Sequence, residues 1–359
     1  MSRLVLVESD ARALRAALLV DRRLEAIEID RTARPTLVGA VMPADSVRVL
    51  KGMGEIVRLA DGTEALLERG AAPTGGTAMV QVLRGRSGDK LPLTGRSVAL
   101  VGRALVHLPL ESGIRASRRL GGPPEQRKAL AADLQARAGG WIIRSAASLA
   151  GEADWRAEIA ALAAEGARVA AGASLPAPDA ARRLLRDHGL PAPDGIRVAG
   201  PAASKSVLRW CEAFAPSLLS RIEQHSGAGA LFDLHDVDSA VDALAQPRVP
   251  LPGGASLIIE RTQALTAIDV NSGSEANALA VNLAAAQEIA RQLRLRHIGG
   301  IVVIDFISLP RAEDRSRTEV ALAAALASDP ARTQILPMSR LGLVELSRER
   351  RGPELELES

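Results

Sequence analysis

The chain has 359 residues, 47% of them apolar and 24% charged, with a formal net charge of +3 at pH 7. That is enough apolar material for buried cores in two or three subdomains, and it excludes a disordered chain, which combines low hydrophobicity with high net charge. The lone Cys211 excludes a disulfide scaffold, no uninterrupted apolar run reaches the ~18 residues of a membrane span, and the opening MSRLVLVESDAR turns charged before a signal-peptide core forms. A cytoplasmic location is therefore expected. Four lysines (Lys51, Lys90, Lys128, Lys205) leave 41 arginines among the 45 basic residues, while aromatic residues make up only 2% and tyrosine is absent. Genomic base composition produces such an arginine excess, although arginine also suits forked phosphate contacts.

Residues 1–34 read as short strands around a charged, helix-like stretch at 10–15, ending in the alternation Ile27, Ile29. From 37 to about 109, β-prone runs at 47–50, 55–59, 78–83 and 98–105 alternate with Gly-rich turns, which predicts a small all-β barrel. Helices are expected at 124–139 and 155–169, with a short buried strand at 141–144 between them. Two Leu-Pro-Ala-Pro stretches, 175–178 and 190–193, bracket a helical segment at 180–188. A further helix is expected over 205–224, interrupted around Pro216.

The last third is the most regular. Strands at 255–260 and 265–270 are joined by a turn at 261–263. A helix at 275–297 then carries Leu279, Leu283, Ala286, Ile289, Ala290 and Leu293 on one stripe. Its last turns hold Arg291, Arg294, Arg296 and His297, favourable charges at a helix C-terminus. Gly299 and Gly300 stop it, and the apolar run 301–304 leads into Asp305. A strand–helix–strand unit of this kind places two parallel strands side by side through a right-handed crossover. Asp269 and Asp305 then close neighbouring strands, and Asn271, two residues past Asp269, shares its face. Two carboxylates and an amide carbonyl form a hard oxygen set suited to Mg²⁺ or Mn²⁺ rather than zinc. Taken singly, each such residue is equally an ordinary cap or turn residue, and spacing alone does not decide between the two.

The segment 252–308, with its elements IDVNSG, NLAAAQEIARQLRLR and GGIVVIDFI, resembles the catalytic segment of the ribonuclease E/G family. LVGAVMPADSVRVLKGMG is similar to that family's entry into an S1 domain, GGWIIRSAA to its 5′-sensor motif, and ARTQILPMSRLGLVELSRER to its post-catalytic segment. The resemblance implies an α+β, multi-subdomain fold. Its parts would be an RNase H-like subdomain (1–36 and 176–240), an S1-like β-barrel (37–109), a 5′-sensor subdomain (110–175) and an α/β, DNase I-like catalytic subdomain (241–359). It further implies a metal-dependent endoribonuclease acting on single-stranded RNA and leaving 5′-phosphate and 3′-hydroxyl ends. Asp269 and Asp305 match the family's metal-binding acids, and Asn271 the asparagine that assists them. Arg144 and Ser145 match an Arg-Thr pair that reads a 5′-monophosphate, Arg332 a second arginine supporting it, and Gly113 a residue of the adjoining loop. Lys90, Arg118 and Arg119 are the expected RNA contacts. Mg²⁺, with Mn²⁺ as an alternative, is the expected cofactor.

The sequence departs from the family in three places. Val57 and Leu66 stand where the S1 domain is expected to carry exposed phenylalanines, and each lost stacking platform is worth roughly 1–3 kcal/mol per base. No cysteine follows Cys211, so a thiolate zinc-link between subunits is not expected, and the oligomeric state is left open. The segment after Ser272 is shorter than expected, and Gln263 stands where an acid is expected. Two other readings compete. An RNA-binding member with reduced or lost cleavage would fit the missing aromatics. A generic Mg²⁺ phosphohydrolase would call for a Gly-rich phosphate loop, and none is present.

Overall fold

The computed structural model describes residues 1–51, 54–68, 76–86, 90–274, 277–352 and 355. The chain divides into two compact units, Met1–His235 and Asp236–Ser359. In the first, strands β1 (Arg3–Ser9), β2 (Ala13–Val20) and β3 (Arg23–Arg31) form an antiparallel meander. The helix-like reading of 10–15 is corrected here. Asp10 Oδ1 accepts the N–H groups of Arg12 at 2.7 Å and Ala13 at 2.8 Å, making a tight turn from which β2 departs. Those two hydrogen bonds, Arg12's first, hold the Asp10 carboxyl below its ordinary range. The four consecutive buried residues from Ala16 to Leu19 suit a strand covered on both faces.

Strands β4 (Val41–Leu50), β5 (Gly54–Leu59), β6 (Glu64–Leu67), β7 (Thr77–Arg84) and β8 (Leu93–Gly95) close a barrel in the order β4-β5-β6-β8-β7. Its interior includes Ala44, Val57, Leu59, Ala65, Leu67, Val80 and Val82. The run 98–105, expected within the barrel, belongs elsewhere. It supplies β9 (Leu100–Val101) and the first residue of β10 (Leu105–Leu108), which join β11 (Ile114–Ala116) and β12 (Gly140–Ile143) in a separate sheet ordered β11-β12-β10-β9. The Gly102 N–H bonds the carbonyl of Leu105 at 2.8 Å and folds β9 back on β10, after β8 has already closed the barrel. Helix α1 (Pro124–Gln135) connects β11 to β12, which run parallel.

Helix α2 (Glu152–Ala170) is followed by α3 (Ala180–His188), whose N-cap Asp179 accepts the Arg182 N–H at 2.8 Å. Next come β13 (Gly195–Ala199), α4 (Pro201–Phe214) and β14 (Ile222–Gln224). The long helix expected over 205–224 therefore stops at Phe214. Ala215 adopts an extended φ of −155° before Pro216, a short 3-10 turn follows, and the chain enters β14. β13 pairs parallel with β1 and β14 parallel with β13, giving the sheet order β14-β13-β1-β2-β3. Cys211 is buried in α4, and burial pushes its thiol up to about 12, so it acts as a small apolar residue.

The second unit contains α5 (Val237–Ala243), β15 (Arg248–Pro250), β16 (Ser256–Arg261), β17 (Leu265–Asn271), α6 (Ala278–Leu295), β18 (Gly300–Asp305), α7 (Ala312–Leu326), β19 (Thr333–Ile335) and β20 (Leu343–Arg348). The sheet order is β15-β16-β17-β18-β20-β19, and only β17 and β18 pair in parallel. Leu257, Ile268, Val302, Ile304 and Val344 join Ala285, Ile289 and Leu293 of α6 and Leu322 of α7 in one core. The opposite face of the sheet carries outward residues such as Asp269, Ile301, Asp305 and Glu345. Among the described residues no helix is long and apolar enough to cross a membrane.

Candidate active site and phosphate-binding residues

Strand β17 alternates cleanly, with Thr266, Ile268 and Val270 buried and Asp269 and Asn271 exposed. In β18, Val302 and Ile304 point into the core and Asp305 is exposed at the end. Five register pairs align the two strands, and the last sets Asp269 directly against Asp305. Adjacent strands lie about 4.8 Å apart, so the two carboxylates leave the sheet side by side. Asn271 Nδ2 donates to Asp269 Oδ2 at 2.7 Å, so the three expected residues do come together. No three His, Cys, Asp or Glu side chains cluster as a metal site among the described residues, and this set is instead two acids and one amide. Two neighbouring carboxylates on an open face, with the Asn271 amide oxygen as a third hard donor, fit a Mg²⁺ or Mn²⁺ ion.

The chain on either side of this set is held by backbone contacts. Gly273, just past Asn271, has a φ of +59°, and a Cβ there would sit 2.2 Å from the Gly254 carbonyl oxygen, so no side chain fits. Beyond Asp305, the fully buried Asn282 of α6 clasps Ile307. Its Nδ2 donates to the Ile307 carbonyl at 2.8 Å, and its Oδ1 accepts the Ile307 N–H at 3.1 Å. Sequence reading passed over Asn282, and the available signal was an amide standing among the apolar residues of the helix.

The residues expected to meet a terminal phosphate lie in two places. Ala116 of β11 pairs with Ile143 of β12, and the Ser117 N–H bonds the Ile143 carbonyl at 2.8 Å. Ser117, Arg118 and Arg119 therefore leave one strand end beside Arg144 and Ser145 at the other. Arg118, Arg119 and Ser145 are exposed, and Arg144 is half-buried with Nη1 donating to the Gly102 carbonyl. Gly113, at φ +90°, sits at the opposite end of β11, where its carbonyl accepts the Trp141 N–H at 2.9 Å. Arg332 is exposed in the second unit, just before β19, where its carbonyl accepts the Glu349 N–H at 2.8 Å.

With this geometry in place, comparison with known proteins is decisive. The sequence pattern of the Ribonuclease E/G family matches residues 99–351. The chain is 30% identical to ribonuclease G of Escherichia coli K12 over 375 aligned residues, covering 93% of this chain and 77% of that protein. The chain belongs to the ribonuclease E/G family. Ribonuclease G of Haemophilus influenzae is 29% identical, covering 95% of this chain and 78% of that protein. Ribonuclease E of Synechocystis is 34% identical over 298 residues, covering 77% of this chain and 44% of that protein.

In this ribonuclease E/G chain the barrel differs from expectation at one position. Val57 is 3% exposed and points into the barrel interior, because β5 buries Glu55, Ile56, Val57 and Leu59. It does not stand on the outer surface where a stacking ring was expected. Leu66 is half-buried, and Lys90 is exposed.

The sequence also gave no warning of a buried ionic cluster beneath the β9–β10 turn. Arg103, 1% exposed, pairs with Asp154 at 3.0 Å, and Glu158, one turn further along α2, is fully buried. Burial pushes the Glu158 carboxyl up to about 7, against the opposing pull of Arg103 and the backbone N–H groups it accepts. Native Glu158 thus holds its proton more tightly than the unfolded chain does. Its favourable contribution is complete below about pH 4.5 and is lost as the pH rises through 7. At ~1.4 kcal/mol per tenfold in proton affinity, the loss is on the order of 3 kcal/mol. Relative to the unaltered protein, Glu158→Gln should therefore gain stability as the pH rises from 5 to 8, as read from paired thermal melts. A constant difference between the two proteins would refute the assignment.

Proposed function

We propose that this family member is an endoribonuclease that hydrolyses phosphodiesters in single-stranded RNA, leaving 5′-phosphate and 3′-hydroxyl ends. The observation that carries this reading is the register pairing of Asp269 with Asp305, with Asn271 bonded to the first. Asp269 and Asp305, with Asn271 beside them, would hold a divalent cation, Mg²⁺ or Mn²⁺, which when bound would supply Lewis acidity and favour ionisation of water. The remaining work belongs to the chain itself. Strand pairing fixes the spacing of the two carboxylates, the Asn271 amide orients Asp269, and Asn282 holds the chain as it leaves Asp305. Arg144, Ser145 and the neighbouring Arg118 and Arg119 offer guanidinium and hydroxyl donors to a 5′-monophosphate. Gly113 immediately precedes β11, at the end of that strand far from this cluster.

The alternative reading is a member that binds RNA with reduced or lost cleavage. One experiment separates the two. An unstructured, labelled A/U-rich RNA, prepared with a 5′-monophosphate or a 5′-hydroxyl, is incubated with the protein in Mg²⁺ or in EDTA. Internal cuts in Mg²⁺, absent in EDTA and faster on the 5′-monophosphate form, are expected. Binding without cuts replaces the first reading with the second, and equal rates on the two RNAs remove the terminal-phosphate role.

A further inference from the structure

We infer that Glu158, buried in α2, is a positioning residue for phosphate recognition by Arg144, acting through the turn at 102–105; the inference rests on the reading of Arg144 as a 5′-phosphate ligand. Glu158 Oε1 accepts the N–H of Leu105 at 2.8 Å and that of Ala104 at 3.0 Å, and Oε2 lies 3.3 Å from the latter. The same short turn presents its carbonyls to Arg144. The Ala104 carbonyl accepts the Arg144 backbone N–H at 2.9 Å, and the Gly102 carbonyl accepts from the Arg144 guanidinium. Both ends of Arg144, main chain and side-chain head, are therefore held by carbonyls of one turn, those of Ala104 and Gly102, and the N–H groups of Ala104 and Leu105 in that turn are tied to one carboxylate.

The fit leaves no slack. A Cβ on Gly102 would lie 2.1 Å from Glu158 Oε1, so the turn rests directly on the acid. The charged groups facing Glu158 are Arg103 on the turn and Arg144 beyond β12. Arg103 is engaged by Asp154 at 3.0 Å, and among the described residues Glu158 accepts its hydrogen bonds from the turn's backbone. A carboxylate is a costly way to fill a buried space unless its acceptors are needed. Here they orient the turn whose carbonyls hold Arg144, at the strand end beside which Ser117, Arg118 and Arg119 leave β11. Recognition built on a fork of donors is sensitive to displacements of about 1 Å.

The test compares kcat/KM for 5′-monophosphate and 5′-hydroxyl RNA of one sequence, using the unaltered protein, Glu158→Gln and Glu158→Ala. Because Oε1 makes both short contacts, the glutamine carbonyl can take them over, and Glu158→Gln should keep the 5′-monophosphate preference within about twofold. Glu158→Ala leaves both N–H groups unsatisfied and should lower the preference at least about fivefold through a raised KM on the phosphorylated RNA. Should the alanine variant fail to fold, Glu158→Asp, one methylene shorter, withdraws the acceptor and should lower the preference likewise. A preference in the unaltered protein that survives both the Ala and the Asp substitutions overturns the role of Glu158 and leaves the phosphate reading standing. Equal rates on the two RNAs by the unaltered protein overturn the phosphate reading, and this inference with it.

Discussion

Asp305→Asn is expected to lower RNA cleavage by at least about a thousandfold, equivalent to ~4 kcal/mol of lost transition-state stabilisation. Asp305 ends β18 on an exposed face, so the isosteric amide disturbs neither the core nor the strand pairing that runs from Leu265↔Ile301 to Asp269↔Asp305. What changes is charge: one of two adjacent carboxylates becomes neutral, which would weaken the proposed hold on a divalent cation. Asp269→Asn should act alike, with a neutral amide oxygen left as the acceptor for Asn271. The measurement is initial cleavage rate at saturating Mg²⁺, with thermal melting as the control for folding. Unchanged cleavage in both variants would remove these acids from the chemistry.

The second large effect is structural. Arg103 is buried against Asp154 at 3.0 Å and also donates to the Phe214 carbonyl at 3.1 Å and the Gly189 carbonyl at 3.4 Å. Asp154 is held below its ordinary range although burial pushes it up, because the Ser217 hydroxyl and N–H and the Arg103 guanidinium outweigh that push. Arg103→Met strands the carboxylate and should cost about 3–5 kcal/mol, or about 6–20 °C in melting temperature. Pairing it with Asp154→Leu should recover much of the loss, since replacing both members of a buried pair with apolar residues is far milder than removing one. A single variant within about 0.5 kcal/mol of the unaltered protein would show that the cluster carries little of the stability.

The catalytic segment was readable from sequence because each local signal agreed with the next. The apolar runs ending at Asp269 and Asp305, the amphipathic helix between them and the paired glycines after it all specify the same strand–helix–strand unit, now seen as β17, α6 and β18. The first unit was less transparent where local and tertiary preferences diverge. Asp10 to Arg15 carries helix-compatible charges, yet the Asp10 side chain captures two backbone N–H groups and commits the chain to a turn. The 98–105 run has strand character, but nothing in it says which sheet it joins. That is decided by β8 closing the barrel and by the Gly102 turn. Val57 was placed outward by its position in the segment resembling an S1 domain, whereas β5 turns Val57 and Leu59 into the barrel and leaves Arg58 exposed. Glu158 and Asn282 were passed over for a common reason. A buried polar residue within a helix acquires its meaning from a partner on another element, and the order of residues along the chain does not name that partner.

Because Asp269 and Asp305 end parallel strands that are bonded directly to each other, the distance between them is a property of the sheet and not of the segment that links them. The crossover from Ser272 to Gly299 can then gain or lose residues over evolutionary time without moving either acid. A chain built this way can vary the segment that links the two strands while the sheet keeps the pair of acids in register.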